Sequence, residues 1–141
     1  MLRRSPSRRD RSGNPPMSIR PVVRRGTEGT TERWSDERGT LEFTTMIGDG
    51  TPTNELTAGT CRIRPQGSLH KHSHAASEIY YILSGSGVVH LAGTEHDIEA
   101  GDMVFIPSHS VHGITNPGTV DLEFIFTYAA DSIEDERTKY A

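Results

Sequence analysis

The chain predicts an all-β fold, a sandwich or a barrel, on three observations. Short strand-like runs fill the sequence after residue 40, recurring roughly every 8–12 residues. Glycine and proline turns separate them, and no stretch between them carries a convincing helical period.

The runs follow one another in order. Leu41–Ile47 (LEFTTMI) is bounded by Gly48-Asp49-Gly50, and Leu56–Arg64 ends at Pro65-Gln66-Gly67. Ile79–Leu83 stops at Ser84-Gly85-Ser86-Gly87, where glycine supplies the backbone freedom that a tight turn needs. Val88–Ala92 ends at Gly93-Thr94-Glu95, and His96–Ile98 leads into Ala100-Gly101-Asp102. Met103–Ile106 ends at Pro107, which has no N–H to continue a ladder. Val111–Thr115 stops at Asn116-Pro117-Gly118. Leu122–Tyr128 alternates most clearly: Leu122, Phe124, Phe126 and Tyr128 share one face, while Glu123, Ile125 and Thr127 take the other. The tail Asp131–Tyr140 is expected to form an exposed helical turn or two, or to stay loose.

At 141 residues the length fits one domain with one hydrophobic core. The apolar fraction is 33%, and the shortfall is concentrated at the start. Met1 to Gly26 holds eight arginines against one acid, net +7, whereas the remainder is net −11. Such a basic arm can signal nucleic-acid binding. Here, however, residues 1–16 are low-complexity Arg/Ser/Pro with nothing to bury, so disorder is the expectation and nucleic acid is not an expected partner. Met17 is a candidate start of the functional polypeptide. The expected organisation is an unordered segment over 1–26, a barrel over 27–130 and a tail over 131–141. No apolar stretch follows the N-terminal charges, and no run approaches the ~18 residues of a membrane span. A cytoplasmic location with no membrane partner is therefore expected. Cys61 is the single cysteine and reads as a small buried residue rather than a reactive thiol.

Chemistry concentrates in two segments. The first runs from Gly67 through His70, His72 and His74 to Glu78 and Gly85. On an extended strand residues i and i+2 point to one side, about 6.6 Å apart at the backbone, so His72 and His74 can aim two imidazoles at one point. Imidazole with carboxylate is a ligand set for a first-row divalent metal. Glu78 would lie about 13 Å from His74 on a straight strand, so Ala75-Ala76-Ser77 must turn if it is to share the ion. The second segment is Gly101-x5-Pro107-x-His109-x2-His112-x3-Asn116.

These two segments resemble the paired motifs of the cupin superfamily, in order and with its internal spacings, over about residues 41–128. The resemblance implies a single-domain double-stranded β-helix, a small jelly-roll barrel. It also implies one divalent transition metal (Fe, Mn, Ni, Zn or Cu) held by His72, His74, Glu78 and His112, with two positions left open. Two departures stand out: Gly67 lies one residue closer to the histidines than is common, and His109 replaces the turn glycine of the second motif. His tolerates the positive φ such a turn requires better than most residues.

Further candidates surround the ligand set. His70 shares the parity of His72 and His74 and is expected at the rim. Tyr80 shares the parity of Glu78, and Tyr128 that of Phe124 and Phe126, so both phenols are candidate catalytic bases, since a bound divalent ion stabilises phenolate. The alternative is a core tyrosine with its hydroxyl satisfied at the barrel mouth. Some small cupins that cleave dimethylsulfoniopropionate carry the same Glu-x-Tyr element. Arg62, His70, His109 and Phe126 are candidate substrate contacts, with Arg62 or Arg64 placed to receive a carboxylate. His90 and His96 read as surface residues.

The expected function is metal-dependent chemistry on a small organic molecule inside the barrel: dioxygenase, lyase, decarboxylase or isomerase. The alternative is a non-catalytic module that binds a sugar or organic acid. A storage cupin is disfavoured by length. The resemblance further implies a homodimer, for which Ile79, Tyr81 and Leu83 would offer an apolar outer face.

Overall fold

The computed structural model describes residues 18–131 and 139–140. The described residues form eleven strands and no helix. They are β1 (Thr30–Asp36), β2 (Gly39–Ile47), β3 (Thr57–Ile63), β4 (Ser68–Ser73), β5 (Glu78–Ser84), β6 (Ser86–Leu91), β7 (Thr94–Glu99), β8 (Met103–Ile106), β9 (His112–Thr115), β10 (Leu122–Tyr128) and β11 (Lys139–Tyr140). All pair antiparallel, in the order β7-β6-β9-β4-β2-β3-β10-β5-β8, with β1 added to β2 and β11 to β4. β2 makes the corner. Gly39 and Thr40 pair with β4, and from Glu42 onward the same edge pairs with β3. The sheet thus curls over itself, and its inward side chains form one core.

Alternation decides which side chains those are. β10 buries Leu122, Phe124, Phe126 and Tyr128, and β5 buries Glu78, Tyr80 and Ile82 while exposing Ile79, Tyr81 and Leu83. Ile63, Ile106, Ile114 and Val89 complete the packed floor. Gly85 turns β5 into β6 at φ 78°, and a Cβ there would lie 2.2 Å from the Asp121 carbonyl, so both angle and space require glycine.

Eight expected runs appear within a few residues of their expected bounds, and Met103–Ile106 and Leu122–Tyr128 match to the residue. Three strands, β1, β4 and β11, have no counterpart among those eight runs, β4 being signalled instead by the alternating histidines. β1 is polar and exposed apart from Trp34, so it offers little alternation to read. Within the tail, expected to be helical or loose, residues 139–140 instead form β11, with Lys139 pairing with Ser73 and Tyr140 with His72; residues 132–138 lie outside the described residues. The reading of residues 1–16 as unordered, and of Met17 as a start, lies outside the described residues. Residues 18–26, grouped with that segment, are tied down at two points: Arg20 N–H donates to the Pro52 carbonyl at 3.0 Å and Arg24 Nε to that of Met46 at 3.0 Å. None of the described residues forms a helix long and apolar enough to cross a membrane.

Candidate metal centre and its cavity

The four expected ligands converge. One ligand atom from each of His72, His74, Glu78 and His112 lies within 4.8 Å of the others, and all four residues are buried. Each arrives by a different local device. His72 lies on β4, paired directly across from His112 on β9. His74 follows the end of β4, and the Ala75–Ser77 turn then brings Glu78 to the start of β5. Glu78 Oε1 ends 3.3 Å from His74 Nε2 and 3.1 Å from His112 Nε2.

Hydrogen bonds behind the rings fix their orientation. The Nδ1 atoms of His72, His74 and His112 lie 2.7, 2.9 and 2.9 Å from the carbonyls of His70, Ala76 and Ser110. A carbonyl only accepts, so each Nδ1 carries a proton. Without a metal, an Nε2–H of His74 or His112 can donate to Glu78, and once that proton is lost each Nε2 turns a lone pair inward. Three lone pairs and a carboxylate then face one point. That arrangement is repulsive until a cation sits there, and three imidazoles with one carboxylate suit a divalent transition ion. The donor set therefore fits the metal implied by the sequence.

Electrostatics agree. Burial, reinforced by His112, lowers the His72 pKa to about 4, so that ring stays neutral and available. Burial alone would push the Glu78 carboxyl up, but hydrogen bonds from His112 and His74 outweigh it and hold the group below its ordinary value. Burial raises the Tyr80 hydroxyl well above a normal phenol, and the charge of Glu78 adds to that. Cys61 is pushed far up by burial and is inert as a nucleophile.

A cavity opens beside the cluster, walled mostly by aromatic rings. Tyr80, Phe124, Phe126 and Tyr128 come from β5 and β10, Phe43 and Leu41 from β2, and Trp34 from β1. Tyr80 packs on Phe124 at 4.7 Å between ring centroids, and Tyr128 lies 5.8 Å from His74. Tyr80, Tyr128 and Phe126 thus stand where the sequence placed them. Tyr140 closes the wall, its ring stacked on His72 at 5.3 Å.

The other expected contacts do not reach the cavity. Arg62 alternates outward between buried Cys61 and Ile63, and its Nε pairs with Glu123 at 2.8 Å. His70 is turned out by a bulge: Leu69 pairs with Ile114 and His72 with His112, leaving one extra residue on β4. Parity fails across that bulge, and His70 Nδ1 instead meets the Glu37 carbonyl at 2.8 Å. Gly113 sits opposite, where a Cβ would crowd the Leu69 carbonyl at 3.0 Å. His109 has the expected positive φ, 63°, and is exposed; its N–H donates to the His74 carbonyl at 2.7 Å, tying one motif to the other. Neither His90 nor His96 lines the cavity.

Known proteins share this fold. A model of the cupin domain matches residues 59–128. Over 110 residues the chain is 39% identical to the oxalate-binding protein of Thermotoga maritima, covering 74% of this chain and 90% of that one. It is 33% identical over 97 residues to the dimethylsulfoniopropionate lyase DddW of Ruegeria pomeroyi, 68% of this chain and 63% of the relative. Among solved structures, a predicted oxalate decarboxylase from Thermotoga maritima superposes with a TM-score of 0.70 at 35% identity, over 77% of this chain and 99% of the other.

Proposed function

The chain belongs to the cupin family, and from that premise we propose that it is a metal-dependent lyase or decarboxylase acting on a short organic acid inside the barrel. The carrying observation is the convergence of His72, His74, Glu78 and His112 beside a small aromatic cavity. A divalent ion held by those four would act as a Lewis acid toward an oxyanion. The protein's own part is orientation and exclusion. Backbone carbonyls hold three imidazoles in the ligating tautomer, and the aromatic wall keeps bulk water from the reacting end. Tyr80 hydrogen-bonds with Glu78, and in the metal-free site burial holds its hydroxyl well above a normal phenol, which supports a role as proton donor. The choice of a short acid draws on two relatives, one named for binding oxalate and one for cleaving dimethylsulfoniopropionate, both ligands being small carboxylates.

Binding without turnover is the second reading. One relative is named only as a binding protein, and the described cavity lining includes no lysine, arginine or acid other than Glu78. Three measurements separate the readings: metal content of untagged protein, calorimetric titration with oxalate, and product analysis for formate, carbon dioxide or acrylate. Turnover that falls about 100-fold in Tyr80→Phe, with metal retained, supports the enzyme. Oxalate binding without any product supports the module. Oxygen consumption coupled to substrate loss would replace both with dioxygenase chemistry.

A further inference from the structure

The cavity is lined without a cation, yet one guanidinium packs on a residue of its wall. Along one edge of β4, the β2 end and β11 follow each other. His70 N–H donates to the Arg38 carbonyl at 2.9 Å, and two residues later His72 pairs with Tyr140. This brings Arg38, in the β1–β2 turn, beside the terminal strand that carries Tyr140. The Arg38 guanidinium lies 3.8 Å over the ring of Trp34, itself part of the cavity wall. Asp36 holds it there, accepting from Nε at 3.1 Å and from Nη2 at 2.8 Å. Among the described residues Nη1 has no partner, and the side chain is 37% exposed, so one donor edge is available.

We propose that Arg38 and Tyr140 form an anion-recognising subsite at the cavity mouth, which receives the carboxylate oxygens of the ligand that face away from the four-residue cluster. The inference rests on the reading of the cavity as a site for short organic acids. Its chemistry is a fork of guanidinium N–H groups and a phenol O–H, with Asp36 and Trp34 pre-organising the arginine. The ligand would then span two environments. One end lies against the His/Glu cluster, its middle lies against aromatic faces, and its outer end meets Arg38. This gives the rim a role in selecting acids over neutral analogues of the same shape.

The sole tryptophan, Trp34, makes the rim observable. Metal-loaded full-length protein titrated with oxalate should change Trp34 emission with the same midpoint as calorimetric binding. Arg38→Gln should weaken oxalate by about 10-fold or more, the size of a hydrogen bond to a charged group. Tyr140→Phe, which keeps the ring on His72, should weaken it about threefold or more. Both should retain metal stoichiometry and melting temperature. Arg33→Gln removes the same charge from an outward position, where Arg33 pairs with Glu42, and should leave affinity within about twofold. The subsite is overturned if Arg38→Gln and Tyr140→Phe bind oxalate like the parent, or if Arg33→Gln weakens it as much as Arg38→Gln does. Metal-loaded parent that binds no short acid removes the functional reading along with the subsite.

Discussion

Nε2 of His112 lies 3.1 Å from Oε1 of Glu78, although 34 residues separate them in sequence. Only closure of the sheet, with β9 laid against β4 and β5 against β8 and β10, produces that distance. The cluster is therefore a property of the folded barrel, and metal should bind the native state far better than the unfolded one. Such binding raises stability by mass action. Saturating divalent metal should raise the melting temperature of the parent, while His112→Ala and Glu78→Ala should lose both the rise and stoichiometric metal. Elemental analysis with thermal unfolding checks this, and retention of one metal per chain by both variants would refute the site.

Acid should destabilise the metal-free protein. Burial, with help from His112, keeps His72 neutral down to a pKa of about 4, against 6.5 ordinarily. Between those values the unfolded chain takes up a proton that the folded chain refuses. Stability is therefore full above about pH 6.5 and falls as pH drops toward 4, by roughly 3 kcal/mol for this group. Glu78, held below its ordinary value by its two histidine partners, adds a loss as pH falls through its folded pKa. Urea midpoints across this range should fall with pH. A flat profile, or a rise on acidification, would contradict the assignment.

Asn116 should prove structural rather than catalytic. Its Nδ2 donates to the Ile63 and Val120 carbonyls at 2.8 Å each, and its Oδ1 accepts from Gly118 N–H at 3.0 Å. The residue is 1% exposed, so Asn116→Ala strands buried backbone groups. Stability should fall by about 1–3 kcal/mol, read as a lower urea midpoint, while metal stoichiometry stays at the parent value. Loss of metal from a variant that remains folded would instead tie Asn116 to the site.

The ligand set was legible by two routes. The alternation of His72 and His74 is a local signal, whereas Glu78 and His112 were implied by the resemblance of the two segments to the paired cupin motifs. The rim was not legible. His70 obeys the same alternation as His72 on paper, but the bulge opposite Gly113 breaks it, and a bulge leaves no regular trace in sequence. Trp34 lies on a polar edge strand, where one aromatic residue has no periodic company. Tyr140 reaches His72 through a pairing across 68 residues in a strand only two residues long, too short to be read as a run. Arg62 looked like a carboxylate receiver because it flanks the motif, yet its own strand parity points it outward to Glu123.

The outer face of β5 and β8 carries the remaining expectation. Ile79 pairs with Phe105 and Tyr81 with Met103, and all four are exposed, Met103 and Phe105 by 66% and 63%. Cross-strand apolar pairs of this size on an open sheet face suit a second copy of the chain, and β8 at the end of the strand order leaves room for it. Light scattering at micromolar concentration should give about twice the chain mass of 15.5 kDa. Phe105→Lys places a charge at the centre of the patch without touching the cavity, and should halve the mass while retaining metal. A parent that stays monomeric at every concentration would leave this face without the proposed occupant. A Phe105→Lys variant that still has the dimer mass would move the interface elsewhere.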